Sequence, residues 1–202
     1  MIEAISHKIL NFIIMHSDID EDMSDIYKYG IEITISSILN FALIFIASAI
    51  IGDFLSGVVF LATFILLRSY CGGYHADTYF KCNTVFVFTY ILIILISRAS
   101  ISYISFNLSI WGAILLLSFV PILLYSPVKN IHKVLTESQC KRCRLISIVV
   151  YFMLSLISLF LIGIRNNYGC IIIITLAAVS VMILIEVHKK RRENHADEKK
   201  NF

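Results

Sequence analysis

Charged residues and prolines are scarce in this sequence. Only 15% of the 202 residues are Asp, Glu, Lys or Arg, and there are two prolines, whereas 58% are hydrophobic. A typical soluble domain carries about 25% charged residues. Because the apolar residues also come in long blocks, the composition excludes an ordinary soluble domain. It predicts an all-α integral membrane protein.

The first thirty residues lack the uninterrupted apolar core and the small-residue cleavage site of a secretory signal peptide. No signal peptide is therefore expected. The five cysteines are an odd number and are spread over loops and spans, so they do not resemble an extracellular disulfide framework. Reduced thiols on the cytoplasmic side are the simpler expectation.

The apolar blocks predict about six transmembrane helices in a single polytopic domain, residues 1–202. Residues 2–15 place their apolar side chains on one helical face and are too polar to span. Residues 1–30 are therefore predicted to be an amphipathic cytoplasmic or interfacial segment. Residues 31–187 form the membrane region, and 188–202 form a charged cytoplasmic tail. The predicted spans are 31–51, 54–67, 83–96, 108–125, 145–164 and 169–187.

The second and third spans are short, so the polar stretch between them either extends a helix or is half-buried in the membrane. Six spans place both termini on one side, together with the loops after the second and fourth spans. That side carries every Lys and Arg except Arg98 and Arg165. The positive-inside rule then predicts that both termini and the polar stretch are cytoplasmic.

The polar stretch, residues 67–82, holds the side chains best suited to chemistry. A cysteine nucleophile needs a base or a cation to form its thiolate, and His75 and Cys82 are the His–Cys pair in this stretch. Their spacing of seven would put them about 10 Å apart along a straight helix, too far for a hydrogen bond. A direct pair therefore requires a break or a bend between them. Gly72 and Gly73, just upstream, permit unusual backbone angles.

Other interpretations of these residues remain open. Arg68 could anchor the span at the interface, or it could bind a carboxylate or stabilise a thiolate. Asp77 could orient His75 or cap the next helix, and Cys71 is expected to pack. The spacing of Cys71, His75, Asp77 and Cys82 matches no zinc pattern, so neither a metal nor a cofactor is predicted. The lone C-x-x-C at Cys140 is weak evidence for metal or redox function.

The motif R-x₃-GG-x-H-x₆-C, formed by Arg68, Gly72, Gly73, His75 and Cys82, follows a second hydrophobic segment. In this motif, in length and in its amphipathic N-terminal segment, the chain resembles the accessory gene regulator B (AgrB) family. These are bacterial membrane cysteine endopeptidases of quorum sensing. The resemblance implies that Cys82 attacks the precursor peptide AgrD near its C-terminal part, with His75 as base and then acid. A thiol or hydroxyl of the precursor then closes a thiolactone or lactone.

The resemblance also implies a homodimer in the bacterial cell membrane, with the precursor peptide and the lipid bilayer as partners and no nucleic acid. Arg68 or backbone amides near Cys82 are candidates for stabilising the oxyanion. A basic loop could attract lipid or an acidic part of the precursor. Its cations are Lys129, Lys133, Lys141, Arg142 and Arg144.

Two functions of other classes are alternatives: a peptide exporter without covalent chemistry, and a membrane scaffold for a signalling partner. No internal repeat is evident, and the first, fourth, fifth and sixth predicted spans are expected to lack ionisable residues. Both features weigh against a transporter. A cysteine-directed substrate analogue separates the three functions, since only a protease is expected to be labelled covalently at Cys82.

Overall fold

The computed structural model describes residues 2–16, 24–72, 78–103, 107–128 and 136–200. Over these ranges the chain forms seven α-helices and no β-strand, which confirms the all-α prediction. The helices are α1 (Ile2–His16), α2 (Ser24–Ile51), α3 (Phe54–Cys71), α4 (Tyr79–Tyr103), α5 (Leu108–Tyr125), α6 (Glu137–Gly163) and α7 (Tyr168–Lys200).

Six of the described helices, α2 to α7, are long and apolar enough to cross a membrane. The shortest have 18 residues, or about 27 Å of helix, against a hydrocarbon core of about 30 Å. Helix α3 continues into the polar stretch as far as Cys71, and α4 runs from Tyr79 to Tyr103. Neither is therefore as short as its apolar residues alone predict. The polar residues at their ends are part of the helices.

Helix α1 is the predicted amphipathic helix. Ser6 and Leu10 are buried against the protein, whereas Ile5, Ile9 and Phe12 are exposed. The helix packs along α2, and its apolar part is shorter than a span. An exposed apolar face on a helix of this length is typical of a segment that lies in the membrane interface.

Helix α7 forms the centre of the bundle. It packs against α3, α4, α5 and α6, and two thirds of its membrane-spanning part is buried inside the protein, a larger share than in any other described span. The surrounding helices turn large apolar side chains outward, for example Leu116 and Leu117 on α5. This distribution is expected when the outer surface contacts lipid.

Hydrogen bonds between helices supplement apolar packing in the core. The hydroxyls of Ser56 and Tyr90 are 2.8 Å apart and join α3 to α4. The Tyr151 hydroxyl of α6 donates to the Leu115 carbonyl of α5 at 2.6 Å. Since lipid is as apolar as a leucine side chain, such contacts contribute to the specificity of helix packing in membranes.

One end of the bundle is fixed by the turn between α2 and α3. Gly52 has φ of +78°, and Asp53 accepts a hydrogen bond from the Ser56 amide, which caps α3. The Tyr168 hydroxyl at the start of α7 donates to the same carboxylate at 3.2 Å. The described residues of the predicted motif, Arg68, Gly72 and Cys82, lie at the other end, where α3 ends and α4 begins. We call this the motif end.

Candidate active site

Gly72 terminates α3 at the motif end. Its φ of 72° and ψ of −158° lie in a region that is essentially restricted to glycine. Its amide donates to the Arg68 carbonyl at 3.0 Å, which satisfies one of the last free carbonyls of the helix. A Cβ on residue 72 would lie 2.9 Å from the Val128 carbonyl oxygen. Both the backbone angles and the available space therefore require glycine.

The segment after α5 packs onto this helix end. The Val128 amide donates to the Cys71 carbonyl at 2.9 Å. The Cys71 thiol is fully buried and hydrogen-bonds with Ser126 and Ser147, whose hydroxyls are 2.8 Å apart. Cys71 is therefore a packing residue, as the sequence predicts. It ties α3 to α5 and α6.

Cys82 lies in the first turn of α4 and is half-buried. Thr78 caps this helix: its hydroxyl accepts from the Lys81 amide at 3.3 Å, and its carbonyl accepts from the Cys82 amide at 3.0 Å. Thr78 itself is not helical, so no straight helix runs through residue 78 into Cys82. The free amides of a helix start favour negative charge nearby, which is the charge of a reactive thiolate.

Arg68 connects α3, α4 and α7 at the motif end. Its guanidinium stacks 5.2 Å from the Phe64 ring centroid and approaches the Met182 sulfur at 3.9 Å. It interacts electrostatically with Cys82 and with Glu186 of α7. Arg68 is thus half-buried and contacts side chains of α3 and α7.

Glu186 is a further candidate residue, outside those that the sequence predicts. It lies within the predicted sixth span, is only 8% exposed and pairs with Lys190 at 3.9 Å. Glu32, in the first span, is equally buried and accepts a hydrogen bond from the Tyr79 hydroxyl. The expectation that these two spans lack ionisable residues is therefore wrong. The signal in the sequence that could have revealed Glu186 is a carboxylate near the end of an apolar span, at the end that lies on the same side of the membrane as the motif.

Other predicted site residues lie outside the described residues: Gly73, His75, Asp77, Lys129 and Lys133. Within the part that the structure describes, no three His, Cys, Asp or Glu side chains cluster as metal ligands would.

The position of the remaining basic residues differs from the prediction. Lys141, Arg142 and Arg144 do not lie in a loop, because α6 begins at Glu137, well before the predicted span. A capping box between Thr136 and Gln139 starts the helix there. The Arg144 guanidinium donates to the Leu123 carbonyl of α5 at 2.7 Å, whereas Lys141 and Arg142 are exposed.

The arrangement thus combines a half-buried thiol at a helix start with a guanidinium that interacts electrostatically with this thiol and with a buried carboxylate. A family model for accessory gene regulator B, AgrB, matches residues 6–184. The chain belongs to the AgrB family. Membership supports a role in the peptide processing of the accessory gene regulator system.

Two proteins of Clostridium perfringens are among the relatives. An AgrB-like protein of strain SM101 is 24% identical over 171 residues, which cover 80% of this chain and 78% of that protein. An AgrB-like protein 2 of strain 13 is 25% identical over 168 residues, with the same coverage of 80% and 78%. No solved structure matches the chain.

Proposed function

We propose that this AgrB-family protein is a membrane-embedded cysteine endopeptidase that cleaves an AgrD-type precursor and promotes cyclisation of the released peptide. The observation that carries the proposal is the position of Cys82. It is half-buried in the first turn of α4 and interacts electrostatically with the Arg68 guanidinium. Helix start and cation both stabilise a thiolate, which is the nucleophilic form of cysteine.

The proposed reaction has two steps. The Cys82 thiolate forms a bond to the scissile carbonyl carbon, and the tetrahedral intermediate collapses as the carbon–nitrogen bond breaks. His75 protonates the leaving amine, and a thioester remains on Cys82. A thiol or hydroxyl of the precursor, deprotonated by His75, then attacks this thioester. The thiolactone or lactone leaves, and the Cys82 thiolate is regenerated.

Arg68 is proposed to stabilise negative charge in this reaction. A guanidinium beside the sulfur can stabilise the thiolate, the oxyanion of the intermediate or a carboxylate of the precursor. Its contacts with Phe64, Met182 and Glu186 support the proposal, because a cation held in place needs less reorganisation when charge develops. The surrounding apolar helices would limit hydrolysis of the thioester by water.

The orientation and assembly are proposals on other grounds. The distribution of Lys and Arg supports a cytoplasmic position for both termini and for the motif end. The family resemblance supports a homodimer. The exposed cations Lys141 and Arg142 on α6 are proposed to attract an acidic part of the precursor or anionic lipid.

The test is cleavage of a precursor peptide by the purified protein in lipid nanodiscs. Cys82→Ala and Cys82→Ser are expected to abolish cleavage, since neither side chain provides a thiolate. The thioester on Cys82 is measured by mass spectrometry after acid quenching. Matched controls are Cys140→Ala and Cys143→Ala, which remove two other half-buried thiols and should retain most of the activity.

Substantial cleavage by Cys82→Ala would refute the mechanism. A precursor analogue with an electrophile at the scissile position separates the alternative functions. An exporter or a scaffold would bind or move the peptide without covalent labelling of Cys82.

A further inference from the structure

Glu32 of α2 is a buried carboxylate that contacts two other helices. Its Oε1 accepts a hydrogen bond from the Ser6 hydroxyl of α1 at 3.0 Å, and its Oε2 accepts from the Tyr79 hydroxyl of α4 at 2.8 Å. Glu32 lies near the start of the first predicted span, yet only 8% of its surface is exposed. A buried carboxylate is costly unless its oxygens are satisfied, and here each of them has a hydroxyl donor.

A second hydrogen bond joins α2 to α4 one helical turn further along. The Ser36 hydroxyl donates to the Asn83 side-chain oxygen at 2.8 Å. Residues four apart lie on the same face of a helix, so Glu32 and Ser36 contact α4 through a single face of α2. Cys82 lies directly before Asn83 in the chain. The two hydrogen bonds therefore bracket the helical turn that carries Cys82.

The first turn of a helix is its least stable part, because its amides lack partners within the helix and its end frays. Tyr79 is the first residue of α4. The hydrogen bond from the Tyr79 hydroxyl to Glu32 fixes the first residue of α4 against α2. It thereby restrains the turn that carries Cys82. Through Ser6, the same carboxylate holds α1, the helix whose exposed apolar face fits the membrane interface.

We propose that Glu32 is a positioning residue that couples the interfacial helix α1 to the cysteine-bearing turn of α4. The proposal rests on the proposed function as far as Cys82 is the nucleophile. The proposal predicts that a change in the position of α1 in the membrane interface alters the reactivity of the Cys82 thiol. The sequence of contacts is Ser6 to Glu32 to Tyr79, three residues from three different helices.

The first measurement is steady-state cleavage by Glu32→Ala, Tyr79→Phe and Ser6→Ala. A hydrogen bond to a carboxylate corresponds to about a tenfold change or more in an equilibrium. We expect kcat to fall about tenfold in Tyr79→Phe with KM unchanged, because the nucleophile is displaced while the rest of the site is intact. The Glu32→Ala and Tyr79→Phe effects should not multiply in the double variant, since both remove the same contact.

The controls match the chemistry of each change. Tyr27→Phe removes an exposed hydroxyl from α2, and Glu137→Gln removes an exposed carboxylate from α6. Both should cleave like the wild type. Because Tyr79→Phe and Ser6→Ala each remove only a hydroxyl, they keep the test valid if Glu32→Ala fails to fold.

The second measurement does not require peptidase activity. Cys82 and Cys140 are both half-buried, so the rate at which each reacts with a bulky maleimide reports how far its thiol is exposed, and Cys140 of α6 is an internal reference. Trypsin cuts after Arg98 and after Lys133, which lie between Cys82 and Cys140, so the two thiols fall on separate peptides for mass spectrometry. We expect the ratio of Cys82 to Cys140 labelling to rise about tenfold in Glu32→Ala and in Tyr79→Phe, because loss of the contact loosens the first turn.

The outcomes separate this proposal from the proposed function. If wild-type protein does not cleave the precursor but the labelling ratio rises in Glu32→Ala and Tyr79→Phe, the peptidase function fails and the positioning role is supported. If the ratio and kcat are unchanged in both variants, the positioning role is refuted even if Cys82 is catalytic. A change in Tyr79→Phe without one in Ser6→Ala would refute the coupling to α1.

Discussion

Replacement of Gly72 by alanine tests the geometry of the motif end most directly. Residues other than glycine pay about 1–3 kcal/mol for backbone angles such as its φ of 72° and ψ of −158°. The added Cβ would also lie 2.9 Å from the Val128 carbonyl oxygen, so the segment after α5 must shift. That shift weakens the hydrogen bond from the Val128 amide to the Cys71 carbonyl, which contributes about 1 kcal/mol. The expected local destabilisation is about 2–4 kcal/mol.

Cys71 provides the assay, because its thiol is fully buried next to the substituted residue. Its alkylation requires local opening, and a loss of 2 kcal/mol raises the population of the open form about 30-fold. We therefore expect Gly72→Ala to increase Cys71 alkylation at least 30-fold in nanodiscs. Trypsin cuts after Arg68 and Lys81, so Cys71 and Cys82 are quantified on different peptides.

The matched control is Gly112→Ala. No heavy atom lies within 4 Å of a Cβ at this position inside α5, and alanine is favoured over glycine in a helix by about 1 kcal/mol. This variant should leave Cys71 alkylation and cleavage unchanged. Equal alkylation in Gly72→Ala and in the wild type would show that the described angles and the contact with Val128 are wrong.

Three further predictions concern the site, the substrate and the orientation. Glu186→Gln should lower kcat about tenfold with little change in KM, because the half-buried Arg68 guanidinium loses a charged partner. Steady-state kinetics with unchanged kcat would contradict this. Reversing the charge of Lys141 and Arg142 with glutamate should raise KM more than it lowers kcat at low salt, and an unchanged KM would assign these cations to lipid. An impermeant thiol reagent should label an engineered cysteine at Asn166 but not one at Ser138 in intact cells; labelling at Ser138 would overturn the cytoplasmic placement.

The helices could be predicted because their signals are local. Long apolar blocks identify the six spans, and the position of apolar residues in 2–15 identifies α1. Errors occur where polar residues continue a helix. The start of α6 at Glu137 depends on the capping box of Thr136, and that signal is weaker in the sequence than the following apolar block. Hydropathy identifies the residues that are apolar enough to contact lipid, whereas the hydrogen-bonded helix can begin several residues earlier.

The partners of the site residues could not be predicted in the same way. Arg68 and Glu186 are separated by most of the chain, and only the packing of α3 against α7 brings them together. A carboxylate at the edge of a span usually reaches water, so the sequence alone does not indicate that Glu32 is buried. Its burial depends on hydroxyl donors from α1 and α4, whose register against α2 is a property of the assembled bundle. The sequence alone contains these hydroxyl donors but does not show which carboxylate they contact.

The central position of α7 has a consequence for biogenesis. The ribosome makes this helix after the other five spans, yet α3, α4, α5 and α6 all pack against it. Until α7 enters the bilayer, those four helices have no common core, and Arg68 has no Glu186 beside it. The earlier spans can thus be inserted one by one while α4, which carries Cys82, still lacks its contacts with α7. Assembly of the motif end is thereby delayed until the sixth span is inserted, and a chain that ends before α7 would carry Cys82 and Arg68 without Glu186.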